Sequence, residues 1–143
     1  MSRAYSPSDA ELRSILGDAG TIAVVGLSGD PLRASYEVAE FLQHKGYRII
    51  PVNPLVTEIL GEKCYASLSD IPADIDVDVV DVFRRAEHAP EIAAQAIEVG
   101  AKVLWLQDGI VNEEARRIAE DAGLTVIMGV CIRITERRLE GSH

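Results

Sequence analysis

Short apolar runs alternate along the chain with segments whose apolar residues recur at helical spacing. The five runs are residues 21–25, 47–52, 76–83, 102–106 and 124–128. Their length and their content of valine, isoleucine and leucine are typical of strands buried on both faces of a parallel sheet. Between the first two runs, Val38, Phe41 and Leu42 follow the i, i+3, i+4 spacing of an amphipathic helix. The pattern therefore predicts strands and helices in alternation.

Capping residues indicate where the helices begin. An N-terminal helix within residues 1–20 is predicted to start from a Ser6 cap. Ser35 is the predicted cap of the helix after the first strand, and Asn112 is the predicted cap of the helix after the fourth. A further helix is expected over residues 90–99, because its apolar positions also follow a helical period.

The alternation predicts an α/β fold in a single domain, with a doubly wound parallel five-stranded sheet that carries helices on both faces. The length of 143 residues suits one such domain. In the third run, Asp76 and Asp78 alternate with apolar residues, which predicts that this strand lies at an edge of the sheet. The last three residues, Gly141-Ser142-His143, are typical of an expression-tag remnant, so we expect no role for His143.

Composition opposes several classes of function. The chain has 23 acidic and 14 basic residues and a net charge of −9, which opposes a general surface for nucleic acid or for anionic membranes. No segment resembles a signal peptide or reaches the roughly 20 apolar residues of a membrane span. Cys64 and Cys131 lack the C-x-x-C spacing of a zinc or dithiol site. We therefore expect a cytoplasmic protein with free thiols and no bound metal.

The loop after the first strand has the composition of a phosphate-binding turn. Gly26 and Gly29 permit tight turning and close approach of the backbone, and the helix that starts near Ser35 directs free N–H groups toward the loop. Arg33 can pair with a phosphate through two hydrogen bonds. In a parallel sheet, ligands bind at the carboxyl ends of the strands, where this loop lies.

Two features of the sequence bear on which nucleotide the loop could bind. The loop reads G-L-S-G-D-P-L and not the G-x-G-x-x-G of dinucleotide-binding proteins. The second strand ends in Pro51-Val52-Asn53-Pro54, without the carboxylate that holds the ribose of NAD. These two departures disfavour NAD, although an NAD(P)-binding oxidoreductase-like protein stays open as an alternative.

Several segments together resemble a known family, the small stand-alone CoA-binding proteins, whose domain is similar to the CoA-binding part of the succinyl-CoA synthetase alpha subunit. The resemblance covers about residues 21 to 139. The segments that carry it are residues 25–28 (VGLS), 33–36 (RASY), 50–54 (IPVNP), 59–61 (ILG), 80–85 (VDVFRR), 100–102 (GAK) and 106–110 (LQDGI).

The resemblance implies a Rossmann-like sheet that holds coenzyme A. The turn from Gly26 to Pro31 would contact the nucleotide phosphates, and three further loops would line the rest of the nucleotide and pantetheine path. The expected binding residues are Gly26, Ser28, Gly29, Pro31, Arg33, Ser35, Asn53, Pro54, Phe83, Arg84, Gln107, Gly109 and Ile110.

The chain departs from the family pattern at two places. It has Gly129-Val130 where relatives usually carry Asp-Arg, and Ala34 where they carry proline. It also lacks the second domain on which the larger synthetases carry a phosphorylated histidine, so the resemblance does not imply ligase activity for this chain alone.

Candidate catalytic groups are isolated in the sequence. No G-x-S-x-G or H-E-x-x-H motif occurs, and Cys64 has no acid–base partner nearby in sequence. His44 is expected on the solvated side of its helix, and His88 is expected as a surface histidine, although it could reach a ligand at the strand ends. Cys131 is expected as a packed cysteine, although its thiol could approach that of CoA. The leading hypothesis is therefore a CoA or acyl-CoA binding module without a catalytic residue. A ligand-free regulatory or interaction subunit is the third hypothesis, and a protein partner is possible in either case.

Overall fold

Five parallel strands form the central sheet of the computed structural model, which describes residues 4–140. They are β1 Thr21–Val25, β2 Arg48–Val52, β5 Val79–Val82, β6 Val103–Leu106 and β7 Thr125–Ile127, and their order in the sheet is β2-β1-β5-β6-β7. Two short antiparallel strands, β3 Glu58–Ile59 and β4 Glu62–Lys63, lie in the connection between β2 and β5. The remnant expected at residues 141–143 lies outside the described residues.

Helices cover both faces of the sheet, which confirms the doubly wound, Rossmann-like architecture. One face is covered by α1 (Asp9–Asp18), α2 (Ala34–His44) and α5 (Ile132–Glu140). The other face is covered by α3 (Ala89–Glu98) and α4 (Glu113–Asp121). Each face buries its own apolar cluster, because successive side chains of a strand point to opposite sides of the sheet. Short 3₁₀ turns at Leu68–Asp70 and Ala86–His88 complete the connections.

The third sheet strand, β5, corrects the sequence prediction of an edge strand. β5 lies in the centre of the sheet and pairs with β1 on one side and β6 on the other. Asp78 precedes the strand, and its carboxylate accepts hydrogen bonds from the N–H groups of Gly20 and Thr21 at 2.8 and 3.0 Å. Asp78 therefore binds backbone N–H groups at the amino edge of the sheet, and Asp76 is an exposed residue of the connection before β5, so neither marks a wet strand face.

Two predicted helix caps are also wrong. The N-cap of α1 is Ser8 and not Ser6, because the Ser8 hydroxyl accepts the N–H of Glu11 at 3.2 Å. The N-cap of α2 is Arg33, and Ser35 lies inside the first turn of the helix with its side chain buried. Asn112 caps α4 as predicted, since its side chain accepts the N–H of Ala115.

The C-terminal helix α5 was not predicted from the sequence. Ile132, Thr135 and Leu139 are buried against the face of the sheet that α1 and α2 also cover. The chain start also contributes to the sheet, because Tyr5 forms an antiparallel bridge with Met128 beside the edge strand β7. Within the described residues, no helix is long and apolar enough to cross a membrane.

Candidate functional site

The strand order reverses between β1 and β5, and the residues that follow these two strands meet there. β1 is followed by a helix that leads outward to β2, while the chain returns to β5 on the other side of β1. In open α/β sheets the crevice at this reversal is the usual ligand site. Gly26 follows β1 and Phe83 follows β5, so both lie at this crevice.

Gly26 is held where only glycine fits. Its φ is +85°, and its N–H donates to the carbonyl oxygen of Val52 at 2.9 Å. A β-carbon at this position would lie 2.9 Å from the carbonyl oxygen of Phe83 and 3.0 Å from Cδ of Arg84. The absent side chain therefore lets the loops after β1 and β5 pack directly against each other.

The loop after Gly26 is fixed by hydrogen bonds between side chains and backbone. The hydroxyl of Ser35 accepts the N–H of Ser28 at 3.0 Å, and the hydroxyl of Ser28 accepts the N–H of Asp30 at 3.0 Å. The carboxylate of Asp30 accepts the N–H of Leu32 at 3.0 Å. Ser35 thus acts on the loop and not as the helix cap, and hydrogen bonds within the chain fix the shape of the loop.

A cavity of about 350 Å³ opens between this loop and the start of α2. Its lining residues are Gly26, Ser28, Arg33, Ala34, Ser35 and Phe83. The first turn of α2 has no side-chain cap, and Ala34 and Ser35 at its start line this cavity, so the positive end of the helix dipole lies at the cavity wall. Arg33 is exposed and forms no ion pair within the part of the chain that the structure describes. Backbone N–H groups and an unpaired arginine suit a phosphate.

A second cavity, of about 190 Å³, has in its wall Arg84, whose side chain packs against Gly26. Its walls combine apolar and charged residues from β1, β2, the connection after β4, and the start of α3. Its lining residues include Val25, Val52, Pro54, Arg84, His88 and Glu91. His88 precedes α3 as its N-cap residue, without a side-chain cap hydrogen bond.

Asn53 joins the ends of β1 and β2. Its side-chain N–H donates to the carbonyl oxygen of Leu27 at 3.0 Å, and its side-chain oxygen accepts the N–H of Leu55 at 2.8 Å. Its backbone N–H donates to Tyr65 at 2.8 Å. Asn53 therefore positions the loops around the site, and its side-chain groups already have protein partners.

Gln107 has a positioning role in the loop after β7. Its side chain is buried, and its oxygen accepts the N–H of Ile132 at 3.1 Å. The indole N–H of Trp105 donates to the carbonyl oxygen of Val130 at 2.8 Å. Both bonds reach backbone groups, so they hold this loop independently of the side chain at 130. Gly129 itself has a φ of +72°, and an added β-carbon would lie 3.1 Å from Val111, so glycine suits this position. The departure from the family pattern at Gly129-Val130 is thus compatible with an ordered loop.

The structure separates the predicted site residues into groups. Gly26, Ser28, Arg33, Ser35 and Phe83 line the first cavity, and Pro54 and Arg84 line the second. The remaining predicted residues line neither cavity; they are Gly29, Pro31, Asn53, Gln107, Gly109 and Ile110.

The sequence pattern predicted no binding role for Ala34, Ser67 and His88, which also line these cavities. Ala34 lies between two chosen residues, so its position in the first helical turn was the available signal. Ser67 and His88 come from connections whose path depends on how β5 and the segment after β4 pack, which the sequence pattern does not specify.

The described residues offer no metal centre beside the cavities. Among residues 4–140, no cluster of three or more His, Cys, Asp or Glu side chains could hold a metal ion. A larger cavity of about 470 Å³ lies near the amino edge of the sheet, where Tyr47 donates to Glu136 at 2.7 Å and Lys45 pairs with Glu140. Its charged groups neutralise one another, and it lies away from the strand ends that usually bind ligands.

This chain is similar in sequence and in structure to known proteins. A family model described as a CoA binding domain matches residues 20–137. The Bacillus subtilis protein YneT, itself uncharacterised, is 47% identical over 129 residues, covering 90% of this chain and 94% of that protein. A hypothetical protein from Pyrococcus horikoshii has a structure that superposes with a TM-score of 0.90 at 40% identity, covering 95% of this chain and 94% of that one.

A larger enzyme also contains a similar segment. The alpha subunit of an ADP-forming acetate–CoA ligase from Pyrococcus furiosus is 30% identical over 124 residues, which cover 79% of this chain but only 27% of that subunit. The match to the family model spans most of the chain and includes every residue that lines the two cavities at the strand ends. The chain therefore belongs to the CoA-binding domain family.

Proposed function

We propose that this protein binds coenzyme A or an acyl-CoA at the carboxyl ends of β1 and β5 and holds it without a catalytic residue of its own. The observation that carries the proposal is the cavity formed by the Gly26 loop, Arg33 and the uncapped start of α2. The diphosphate of CoA is anionic, and these groups supply hydrogen-bond donors and positive charge in a chain of net charge −9.

The preformed loop supports tight recognition. Because Ser28, Asp30 and Ser35 already fix the backbone, ligand binding does not have to order the loop, and less conformational entropy is lost. The contact at Gly26 brings Arg84 beside the same loop, so its positive charge lies near the proposed phosphate site. NAD has less support, since the side chain of Asn53 is neutral and is engaged with Leu27 and Leu55.

The proposed role is that of a carrier, sensor or presenting module. The similar segment makes up 27% of the acetate–CoA ligase subunit, so we carry over CoA binding and not the ligase reaction. Unpaired donors in a cavity suit ligand retention, and the sequence contains no G-x-S-x-G or H-E-x-x-H motif that would add a reaction.

Isothermal titration with CoA, acetyl-CoA, NAD and NADP tests the proposal. CoA or acetyl-CoA should bind, and a ligand at about 100 times its Kd should add about 2.7 kcal/mol of stability in a parallel thermal-shift assay. Binding of NAD or NADP alone would replace the proposal with a dinucleotide site, and absence of binding by all four would favour a ligand-free interaction subunit.

Two arginine variants locate the phosphates. Arg33→Ala should weaken CoA binding by about tenfold, because one charge-assisted hydrogen bond to phosphate is lost. Arg48→Ala is the matched control. Arg48 is also exposed, but it is the first residue of β2 and therefore lies at the amino ends of the strands, whereas the site lies at their carboxyl ends. Equal CoA affinity of Arg33→Ala and Arg48→Ala would contradict the placement of the phosphates.

A further inference from the structure

We propose that ligand binding by this protein is linked to a proton on Asp81, so that the chain holds an anionic ligand while Asp81 is neutral and loses affinity for it when Asp81 ionises. The inference rests on the proposed function and adds to it a regulation of the same site by pH. It follows from the position of Asp81 in the sheet, from the groups around its carboxyl group and from the charge of the proposed ligand.

Asp81 lies beneath the first cavity. It belongs to β5, two residues before Phe83, and the N–H of Phe83 donates to the carbonyl oxygen of Val25 at 2.8 Å, so the ladder between β1 and β5 continues to Phe83. Side chains two residues apart in a strand point to the same face of the sheet, and their α-carbons lie about 7 Å apart. Phe83 lines the first cavity. The carboxyl group of Asp81 therefore lies on the face that carries this cavity, one layer of side chains below it.

The strands beside Asp81 offer its carboxyl group no partner. Asp81 is in register with Val24 of β1 and Trp105 of β6. The indole N–H of Trp105 already donates to the carbonyl oxygen of Val130. Asp81 has no exposed surface, and among residues 4–140 its two carboxyl oxygens are the only buried side-chain polar atoms without a hydrogen-bond partner. Buried polar groups in folded proteins almost always have a partner, so this acid is costly to keep as a charged group.

The ionisable groups of the surrounding elements are engaged elsewhere or exposed. β1 and β6 contain no ionisable side chain. All charged side chains of α1 and α2, and His44, are exposed. In α5, Arg133 and Glu136 are half-buried, but Arg133 lies over the ring of Phe41 and Glu136 accepts the hydroxyl of Tyr47. The other ionisable groups on this face and at the adjoining strand ends are Tyr36, Cys64, Cys131, Arg33 and Arg84. None of them bonds to the carboxyl group of Asp81.

The charge of the proposed ligand couples its binding to the proton on Asp81. Burial raises the pKa of Asp81 because the charged form would lose its hydration. The diphosphate of CoA would add negative charge to the cavity above. Two like charges about 10 Å apart at an effective dielectric constant of about 20 repel enough to change an equilibrium about tenfold. Bound ligand would therefore hold the proton on Asp81, and by the reciprocity of linkage the ionisation of Asp81 would weaken the ligand.

The test measures the Kd for CoA against pH in the full chain and in the Asp81→Asn and Asp76→Asn variants. Isothermal titration covers the whole pH range in which the proteins stay folded. With increasing pH, the Kd of the parent should rise relative to that of Asp81→Asn, by about tenfold in total. Asp76→Asn is the matched control, because Asp76 is an exposed acid in the connection before β5, and this variant should keep the parent profile. The ionisation of CoA itself affects all three proteins alike, so the ratio of their Kd values isolates Asp81.

A second measurement needs no variant and keeps the inference testable if Asp81→Asn does not fold. Carbon-13 NMR of the parent protein, labelled at the aspartate carboxyl carbons, should show one carboxyl group that titrates well above the others. Saturation with CoA should move the titration of that group to still higher pH, because the bound anion and the ionised carboxylate repel each other.

Contrary results separate this inference from the proposed function. Parallel pH profiles of the parent and Asp81→Asn would overturn the inference and leave CoA binding intact. Loss of the pH dependence in Asp76→Asn as well would overturn it, because the effect would then belong to the overall charge of the chain. An NMR titration in which every aspartate ionises in the ordinary range, or in which CoA moves none of them, would also overturn it. Failure of CoA to bind at any pH would overturn the proposed function and the inference with it.

Discussion

The carbonyl oxygen of Phe83 lies 2.9 Å from the position that a β-carbon on Gly26 would occupy. This approach brings together the two loops that meet where the strand order reverses. The same glycine has a φ of +85°, so its backbone conformation and its surroundings both require the absence of a side chain. Gly26 thus determines how closely the two candidate cavities adjoin.

Gly26→Ala should destabilise the protein and weaken CoA binding. The left-handed backbone costs an alanine about 1 kcal/mol, and the contact with Phe83 should bring the loss in free energy of unfolding to about 3 kcal/mol. Urea unfolding monitored by circular dichroism measures the first effect, and titration with CoA measures the second.

Gly46→Ala is the matched control for that variant. Gly46 follows α2 with a φ of +101°, and an added β-carbon there would meet nothing within 4 Å. It should show the backbone cost of about 1 kcal/mol and unchanged CoA affinity. Equal losses of stability in the two variants would mean that the loops after β1 and β5 relax around the added methyl group without cost.

The strands and the first loop could be predicted because their signals are local. The uninterrupted apolar run of β1 and the glycine that follows it specify a buried strand and a tight turn from the chain itself. The prediction that β5 is an edge strand was wrong because it rested partly on Asp78. The partners of Asp78, Gly20 and Thr21, lie far away in sequence. Side chains that bond to distant backbone groups leave no periodic signal.

Within the site, the hydrogen bonds of Ser35 and Gln107 could not be predicted from the sequence for the same reason. A serine near a helix start favours a cap, yet the tertiary fold uses the hydroxyl of Ser35 to hold Ser28. Gln107 was expected beside the ligand, but its side chain bonds to the backbone of Ile132 in the last loop. Which loop a side chain reaches is determined by the packing of strand ends, which a single sequence does not show.

Gln107→Leu should loosen the start of α5. Leucine keeps most of the volume but cannot accept the N–H of Ile132, and a buried donor without a partner costs about 1–3 kcal/mol. We expect lower stability in urea and faster hydrogen exchange of the Ile132 amide than of amides in β1. Unchanged exchange at Ile132 would show that another acceptor replaces the glutamine.

Asn53→Asp tests the dinucleotide alternative directly. The variant places a carboxylate where NAD-binding proteins hold the ribose, and it can still accept the N–H of Leu55. It cannot donate to the carbonyl oxygen of Leu27, so stability should fall by about 1–2 kcal/mol. Titration should detect no NAD binding, whereas NAD affinity gained by this one change would indicate a latent dinucleotide site.

Asp81 is a buried acid without a hydrogen-bond partner. It lies in β5 between Val24 of β1 and Trp105 of β6, with no solvent exposure. Neither carboxyl oxygen has a partner in the described residues. Burial raises the pKa of Asp81 well above its usual value, because the charged form would lose its hydration, so the folded protein favours the neutral acid.

Stability should therefore decrease as pH rises above the pKa of about 3.9 that Asp81 has in the unfolded chain. Above that value the unfolded chain releases the proton that the folded protein retains, so the free energy of unfolding falls by up to about 1.4 kcal/mol per pH unit until the folded pKa is reached. Asp81→Asn removes this contribution, and its stability relative to the parent should increase as pH rises above the unfolded pKa, until the folded pKa is reached, in urea unfolding experiments. Parallel pH profiles for the two proteins would show that Asp81 is already ionised and has a partner in solution.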